Sequence, residues 1–146
     1  MITIKQLLEG KSHELLTVAP TDHVSRVLQI LADKKIGAVL VMDGDQMVGI
    51  VSERDCALKV ALPGKRADDT LVSEIMTRAV ISVDPKHTLE ECIRQMNERD
   101  IRHLPVMEGG HIIGIVSIGD VSKEMLKQLF QLVGQLEAYI RGGYSV

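Results

Sequence analysis

The apolar residues of the chain form two helix-like patterns. In the first pattern, apolar side chains recur every three or four residues at Val24, Val27, Leu28 and Leu31. The second pattern has the same spacing at Leu89, Cys92, Ile93 and Met96. Thr21 or Asp22 is expected to cap the first helix, and Thr88 with Glu91 forms a capping-box pattern before the second. Because Cys92 lies on the apolar stripe, we expect a buried structural thiol.

Continuous apolar runs predict strands on either side of each helix. Before the helices, β-branched runs at Leu15–Val18 and Val80–Val83 end at prolines, which restrict the backbone. After the helices, pairs of runs flank Asp-Gly and Gly-Gly turns and predict two hairpins. The paired runs are Ala38–Met42 with Met47–Val51, and His103–Met107 with Ile112–Val116. Since these runs lack polar alternation, we expect sheets that are covered on both faces.

The chain contains two copies of this β-α-β-β-α unit. A shift of 65 residues aligns Thr17–Asp55 with Ser82–Asp120 without a gap. Within it, Gly-Ile-Val-Ser recurs and ends at Ser52 and at Ser117, where a second helix is predicted to begin. Two such units stacked with pseudo-twofold symmetry would cover each other's sheets and leave clefts for a ligand.

The predicted fold is a mixed α+β (α/β) arrangement of tandem repeats with a long C-terminal helix. We divide the chain into a first unit at 1–61, a linker at 62–69, a second unit at 70–125 and a helical extension at 126–146. The last helix is expected to run from Val121 to Ile140, with Gly134 as its weakest point.

The composition argues against nucleic acid and membranes as partners. Only 2% of the 146 residues are aromatic, at Phe130, Tyr139 and Tyr144, so stacking platforms for single strands are lacking. The net charge of −3 gives no basic surface for a duplex, and no apolar run could cross a bilayer. Two distant cysteines and no signal-peptide pattern predict a cytoplasmic location. No histidine and carboxylate spacing indicates a metal site.

The duplicated motifs resemble a known family. Two in-register copies of Gly-Ile-Val-Ser-x-x-Asp, at Gly49–Asp55 and Gly114–Asp120, resemble the paired CBS domains of the Bateman module. The segment Arg102-His103-Leu104-Pro105-Val106 adds to this resemblance, and the C-terminal helix makes the chain similar to stand-alone two-CBS signal-transduction proteins of bacteria. The resemblance implies a regulatory, non-catalytic homodimer that binds AMP, ADP or ATP, or else NAD or S-adenosylmethionine. Ligand occupancy would be transmitted to an unidentified regulated protein.

The resemblance also implies which residues contact the nucleotide. The contact positions of the duplicated motif fall on Ser52, Arg54, Asp55, Ser117, Gly119 and Asp120. The two aspartates would accept the vicinal hydroxyls of ribose, and the serines would cap the helix or reach ribose or phosphate. Open backbone N–H groups at these helix starts would favour a phosphate.

Aliphatic walls would hold the adenine, since the body of the chain has no aromatic residue. By motif position these walls are Leu16 and Ile36 at one site, and Ile81 and Ile101 at the other. Positions that contact phosphate in the family carry Arg102 and His103 in the second unit, but Gly37 and Ala38 in the first. This asymmetry indicates that the second site, or the phosphate end of either cleft, carries most of the charge recognition.

Each candidate residue also has a purely structural interpretation. Ser52 and Ser117 can be helix caps, with an aspartate at the third helical position supporting the cap. Arg102 can be a solvated strand-edge residue, and His103 can be a packed core histidine. The alternative function is a ligand-free dimerisation or interaction scaffold. An enzyme is a third class without a catalytic triad, paired acids or an activated thiol; Cys56 lies near a helix start, but on an apolar face.

Overall fold

The computed structural model describes residues 2–10 and 14–143, so Tyr144 lies outside the described residues. The first half contains α1 (Ile4–Glu9), β1 (Thr17–Val18), α2 (Val24–Lys34), β2 (Ala38–Asp43), β3 (Gln46–Ser52) and α3 (Glu53–Cys56). The second half contains α4 (Val72–Ile75), α5 (Leu89–Arg99), β4 (His103–Glu108), β5 (His111–Ser117) and α6 (Ile118–Ala138). π-helical turns prolong α3 through Ala57–Ala61 and follow α6 at Tyr139–Gly143.

Two antiparallel hairpins, β2–β3 and β4–β5, form the centres of two separate sheets. Each strand extends at most one residue beyond either end of its predicted run. The turns need positive φ at Gly44, Gly109 and Gly110, which glycine adopts without strain. The segments Ala38–Val41 and Leu104–Val106 are buried, so β2 and β4 are covered on both faces as predicted, whereas most residues of β3 and β5 are half-buried.

The first strand of the unit forms in only one of the two copies. β1 runs parallel to β2, and Leu40 donates its N–H to the carbonyl of Leu16 at 3.4 Å. The prediction of a strand at Val80–Val83 is wrong, since only the last residue of that run bridges to the next hairpin, at Val106. The cause is Pro105, which occupies the position of Leu40 and has no N–H to donate.

The helical stripes bury most of the residues that the spacing selects. Val24, Val27 and Leu31 are buried on α2, whereas Leu28, which belongs to the same apolar pattern, is 41% exposed. On α5, Leu89, Cys92 and Met96 are buried, and Ile93 is packed partly against the same core. Cys92 is therefore a buried thiol, as its position on the stripe predicted.

The two long helices of the repeats are capped differently. Thr88 caps α5, because its hydroxyl accepts the N–H of Glu91 at 3.2 Å, but the second bond of the predicted capping box, from the Thr88 amide to the Glu91 side chain, is not found within the described residues. The prediction for α2 is wrong: its N-cap is His23, and the carboxylate of Asp22 accepts an earlier N–H in the turn at 2.7 Å. The first two amides of α2 donate instead to carbonyls of the segment between the units, at 2.9 and 3.0 Å. A neighbouring backbone thus replaces a side-chain cap.

The short helices α1 and α4 are exchanged between the two cores. Ile4 of α1 is buried in the core of the second unit, whereas Val72 and Ile75 of α4 are buried in the core of the first. Equivalent backbone bonds hold both helices, from the N–H of Ile4 to the carbonyl of His87 and from Val72 to Asp22, each at 2.8 Å. This exchange ties the two units together, while the division at 1–61, 62–69, 70–125 and 126–146 stays a prediction.

The last helix is buried or half-buried at Ile118, Val121, Glu124 and Gln128 and is exposed from Leu129 to its end. α6 begins at Ile118, directly after the predicted helix start at Ser117, so the second helix of the unit and the last helix predicted from Val121 are one helix, which continues through Gly134 without a break. Val121 is its only fully buried residue in the described chain. Apolar side chains beyond it are exposed, among them Leu126, Leu129, Phe130, Leu132, Val133, Leu136 and Ile140. None of the described helices is long and apolar enough to span a bilayer.

Candidate functional site

Two clefts open between the units, and between them they collect almost all of the predicted contact residues. The first cleft, of about 360 Å³, is lined by Leu16, Ile36, Gly37, Ala38, His103, Ser117 and Asp120, among others. The second cleft, of about 440 Å³, is lined by Gly37, Ser52, Arg54, Asp55, Ile81, Ile101, Arg102 and His103, among others. Gly119 lies outside both linings. These volumes suit a small-molecule ligand.

Each cleft combines the apolar wall of one unit with the polar helix start of the other. Leu16 and Ile36 face Ser117 and Asp120 in the first cleft. The reverse combination, Ile81 and Ile101 with Ser52 and Asp55, forms the second. A complete site therefore exists only when both units are stacked. The pairing of one unit's apolar wall with the other unit's helix start is not encoded in the pattern of either repeat alone.

The serine and aspartate of each motif form a capping box at the helix start. In α3, Ser52 Oγ accepts the N–H of Asp55 at 3.2 Å, while Asp55 Oδ2 accepts the N–H of Ser52 at 2.9 Å. In α6, Ser117 and Asp120 make the same two bonds at 3.0 and 2.9 Å. The capping role is thus real, and it holds each carboxylate in a fixed position at the edge of its cleft.

The helix starts offer fewer open N–H groups than expected. The amide of Glu53 donates to the carbonyl of Gly37, and the amide of Ile118 donates to the carbonyl of Arg102, both at 2.9 Å. The third amide of each helix is bound to the capping serine. Because two of the first three amides are engaged, a phosphate would depend on side-chain cations more than on the helix start.

The carboxylate of Asp55 has a further partner besides its capping box. Lys59, one turn later, places Nζ 2.9 Å from Asp55 Oδ1 and donates to the carbonyl of Ile75 at the same distance. The carboxylate is mostly buried, with 14% of the side chain exposed. In the second unit, Glu124 occupies the position of Lys59, and the lysine that follows Asp120 on α6 is Lys123, three residues later.

A salt bridge spans the second cleft between the two units. Arg54 Nη2 lies 3.0 Å from Asp100 Oδ2, and Nη1 donates to the carbonyl oxygen of the same residue at 3.2 Å. The hydrogen bond and charge of Asp100 raise the pKa of Arg54, and Arg54 in turn lowers the pKa of Asp100. Asp100 is in the left-handed conformation that ends α5, with φ of 52°.

His103 is half-buried at the boundary between the clefts and lines both of them. A Cβ atom on Gly37 would lie only 2.7 Å from His103 Nε2 and 3.1 Å from Glu53 Oε1. Gly37 thus leaves room for a side chain of the opposite unit. Arg102 is exposed at the edge of the second cleft.

The two thiols are unsuited to nucleophilic chemistry. Cys56 and Cys92 are 6% and 0% exposed. Burial raises the pKa of each to about 11, and for Cys56 the neighbouring Asp55 and Glu53 add to this effect. A thiol of this kind stays protonated and inert near neutral pH. Within residues 2–10 and 14–143, no group of histidines, cysteines and carboxylates could hold a metal ion.

Several lining residues were missed by the sequence interpretation. The charged ones are Glu14, Lys34 and Lys35 in the first cleft, and Glu53, Lys59, Arg99 and Asp100 in the second. The repeat pattern could have identified two of these residues. Lys35 and Asp100 are equivalent in the repeat, directly precede the wall residues Ile36 and Ile101, and both adopt positive φ at a helix end.

Comparison with known proteins agrees with the duplicated motif. The family model for the CBS domain matches residues 3–61 and again 72–127. The CBS domain-containing protein CBSX3, mitochondrial, of Arabidopsis thaliana is 34% identical over 151 aligned positions, which cover 97% of this chain and 73% of the plant protein.

Solved structures share the arrangement of both units. The CBS-domain containing protein ATU1752 from Agrobacterium tumefaciens superposes with a TM-score of 0.80 at 35% identity, over 84% of this chain and 98% of that one. The CBS domain pair of protein MJ0100, in complex with 5′-methylthioadenosine and S-adenosyl-L-methionine, gives a TM-score of 0.75 at 23% identity. It covers 86% of this chain and 97% of that one, and shows the shared fold. The chain therefore belongs to the CBS-domain family and carries two copies of the domain.

Proposed function

We propose that this protein is a regulatory module that binds adenosine nucleotides in the clefts between its CBS domains. The observation that carries the proposal is the composition of each cleft. An aliphatic wall from one unit lies opposite a Ser-x-x-Asp helix start from the other, with cationic side chains along the same cleft. A nucleotide needs these three environments, for base, ribose and phosphate.

The parts of an adenosine nucleotide can be assigned to the first cleft in this way. The adenine lies against Leu16 and Ile36, which offer apolar surface without stacking. The vicinal hydroxyls of ribose donate to the carboxylate of Asp120, an acceptor that its capping box already holds in place. Phosphates extend toward the lysines at the end of α2 and toward His103. The second cleft repeats this plan with Asp55, although there the carboxylate also serves Lys59.

The neighbour MJ0100 holds 5′-methylthioadenosine and S-adenosyl-L-methionine in its own structure. The present proposal extends adenosine binding to this chain on the strength of its own cleft residues. AMP, ADP and ATP are the proposed ligands, with NAD and S-adenosylmethionine as further members of the same chemical class.

We propose that ligand occupancy is converted into a signal without catalysis. Because each cleft is shared by two units, a bound nucleotide favours the relative arrangement of units that fits it best. The output would pass through a homodimer, to which the exposed face of α6 contributes, and on to a regulated protein. A cytoplasmic location completes the proposal, although the plant relative is mitochondrial by name.

A thermal-shift panel tests the proposal. Ligands that bind the folded state raise the melting temperature in proportion to the logarithm of their concentration above Kd. We expect AMP, ADP or ATP at millimolar concentration to raise it, and guanosine nucleotides to raise it less. If no adenosine compound, NAD and S-adenosylmethionine included, shifts the melting temperature, the nucleotide-binding proposal is wrong.

A ligand-free scaffold is the second candidate, and one observation favours it. Asp55 is already satisfied by the capping box and by Lys59, so it needs no ligand. On this view the clefts are only gaps at the contact between the units and bind no ligand, and the apolar face of α6 is the functional surface. The same panel separates the candidates, because a scaffold shows no shift while its self-association stays intact.

A further inference from the structure

The exposed face of α6 carries a coiled-coil pattern that continues into the turn after it. Leu126, Leu129, Val133, Leu136 and Ile140 follow one another at alternating spacings of three and four residues, which is the a and d pattern of a coiled coil. Each of these side chains is between 43% and 80% exposed. We call this row the seam. Its pattern is typical of a surface that packs against another helix, and the rest of the described chain leaves it uncovered.

The apolar surface of α6 is large enough for a stable contact with a second copy of this chain. Met125, Phe130, Leu132 and Tyr139 lie beside the seam and are between 36% and 68% exposed. Together with the seam they present on the order of 1,000 Å² of apolar surface. One partner of a stable dimer contributes about 800 Å², of which somewhat more than half is apolar. The face of α6 alone thus supplies the apolar area that one side of a dimer needs.

The residues beside the seam indicate how the two helices are oriented. On one side of the seam, at position e, lie Lys123, Phe130 and Glu137. In an antiparallel pair, which a twofold axis relates, equal sides of the two helices face each other. When Phe130 faces Phe130 of the second copy, Lys123 of each copy faces Glu137 of the other. Both charged side chains are exposed, and neither has an ion pair within residues 2–10 and 14–143.

The same alignment also pairs the apolar residues on the other side of the seam, at position g. It places Met125 against Tyr139 of the second copy, and Leu132 against Leu132. A thioether makes favourable contacts with an aromatic ring. Other arrangements match less well. A shift by one heptad places a charged residue against Phe130, and a parallel pair places Glu137 beside Leu132, so each leaves a charge opposite an apolar side chain.

We propose that α6 pairs in antiparallel orientation with α6 of a second copy, with an ion pair between Lys123 and Glu137 at each end of the contact. This inference rests on the homodimer of the proposed function and specifies its contact. α6 begins at the capping box of Ser117 and Asp120, which lines the first cleft. One continuous helix therefore joins that cleft to the contact between the two copies.

Charge reversal tests the pairing of Lys123 with Glu137. Either Lys123→Glu or Glu137→Lys alone places like charges opposite each other at both ends, and should raise the dimer dissociation constant by about fivefold or more at low salt. The double variant Lys123→Glu/Glu137→Lys restores opposite charges and should return the constant to within about twofold of wild type. Lys127→Glu makes the same charge change on the side of α6 away from the seam, so it should leave the constant unchanged. Sedimentation equilibrium measures all five proteins.

Cross-linking tests the direction of the helices independently of affinity. A mixture of Lys123→Cys and Glu137→Cys proteins, treated with a short bis-maleimide linker, should form covalent dimers. Neither protein should link to itself, because equal positions lie about 21 Å apart along the axis of the antiparallel pair. The native thiols of Cys56 and Cys92 are buried and should not react.

The outcomes separate this inference from nucleotide binding. Linking of either cysteine variant to itself, absence of the mixed product, or a double charge reversal that fails to restore the dimer overturns the antiparallel pairing. A wild-type protein that stays monomeric overturns both the pairing and the proposed homodimer. Nucleotide binding is judged by the thermal-shift panel alone, so it can stand or fall without this contact.

Discussion

The side chain of His103 lies directly against Gly37 of the opposite unit. A methyl group on Gly37 would approach His103 Nε2 to 2.7 Å and Glu53 Oε1 to 3.1 Å. We expect Gly37→Ala to lower the free energy of unfolding by about 1–3 kcal/mol, because the imidazole must move out of its packed position. Urea unfolding measures the loss.

A double-variant cycle tests the cause of that loss. In a protein that already carries His103→Ala, Gly37→Ala should cost much less, because the clashing ring is absent. If Gly37→Ala lowers the free energy of unfolding equally in both backgrounds, His103 does not limit the space at Gly37.

Two equivalent glycines at the centre of the hairpins should tolerate alanine differently. A Cβ on Gly49 would lie 2.8 Å from Met76 Sδ and 3.0 Å from the backbone oxygen of Thr77. At Gly114 the nearest atom is a terminal methyl carbon of Leu8, at 3.0 Å, which can rotate away. We expect Gly49→Ala to destabilise by about 1–3 kcal/mol and Gly114→Ala by less than about 1 kcal/mol. Equal melting temperatures for the two variants would contradict this packing.

The sequence predicts the repeating parts of this fold well because they depend on local pattern. The hairpins, the capping serines and the buried stripe of α5 follow from spacing and turn chemistry within a few residues. The strand at Val80–Val83 and the cap of α2 were predicted wrongly because neighbours decide them. Pro105 lacks the N–H that would bind the predicted strand, and the segment between the units supplies the carbonyls that bind the first amides of α2.

The candidate site was predictable only as a set of residues. Motif positions identified Asp55 and Asp120, but the pairing of each with the wall of the other unit depends on how the units stack. Asp100 belongs to no motif, because it forms its salt bridge with a residue that lies 46 positions away in the chain. Contacts of this kind depend on tertiary geometry, which a single sequence does not encode locally.

The buried thiols should make stability fall at alkaline pH. Cys56 and Cys92 have a pKa of about 11 in the folded protein, against 9.0 for a free thiol. Since the folded state retains the proton more strongly, this contribution is complete below pH 9 and is lost as pH rises through 11. Denaturant unfolding at pH 8 and pH 10 should show a larger loss for wild-type protein than for a Cys56→Ala/Cys92→Ala variant. Identical pH dependence of the two proteins would show that the thiols are not buried as described.

The exposed apolar face of α6 should drive self-association. Leu129 and Leu136 are 52% and 53% exposed on one face of the helix. We expect Leu129→Gln/Leu136→Gln to raise the dimer dissociation constant by more than about tenfold, because burial of a leucine is worth about 1.5–3 kcal/mol. Lys127→Gln, on the opposite side of α6, should leave it unchanged. Sedimentation equilibrium measures both, and a wild-type protein that stays monomeric at high concentration would refute the homodimer.

The most direct test of nucleotide binding between the units is a calorimetric titration of wild-type protein and an Asp55→Asn/Asp120→Asn variant with AMP. Asparagine keeps an oxygen for the capping box but removes the charge that strengthens a hydrogen bond to ribose. We predict saturable binding to the wild type, with no more than two AMP molecules per chain, and at least about tenfold weaker binding to the folded variant. Absence of binding to the wild type, or equal affinity of the two proteins, would contradict the account.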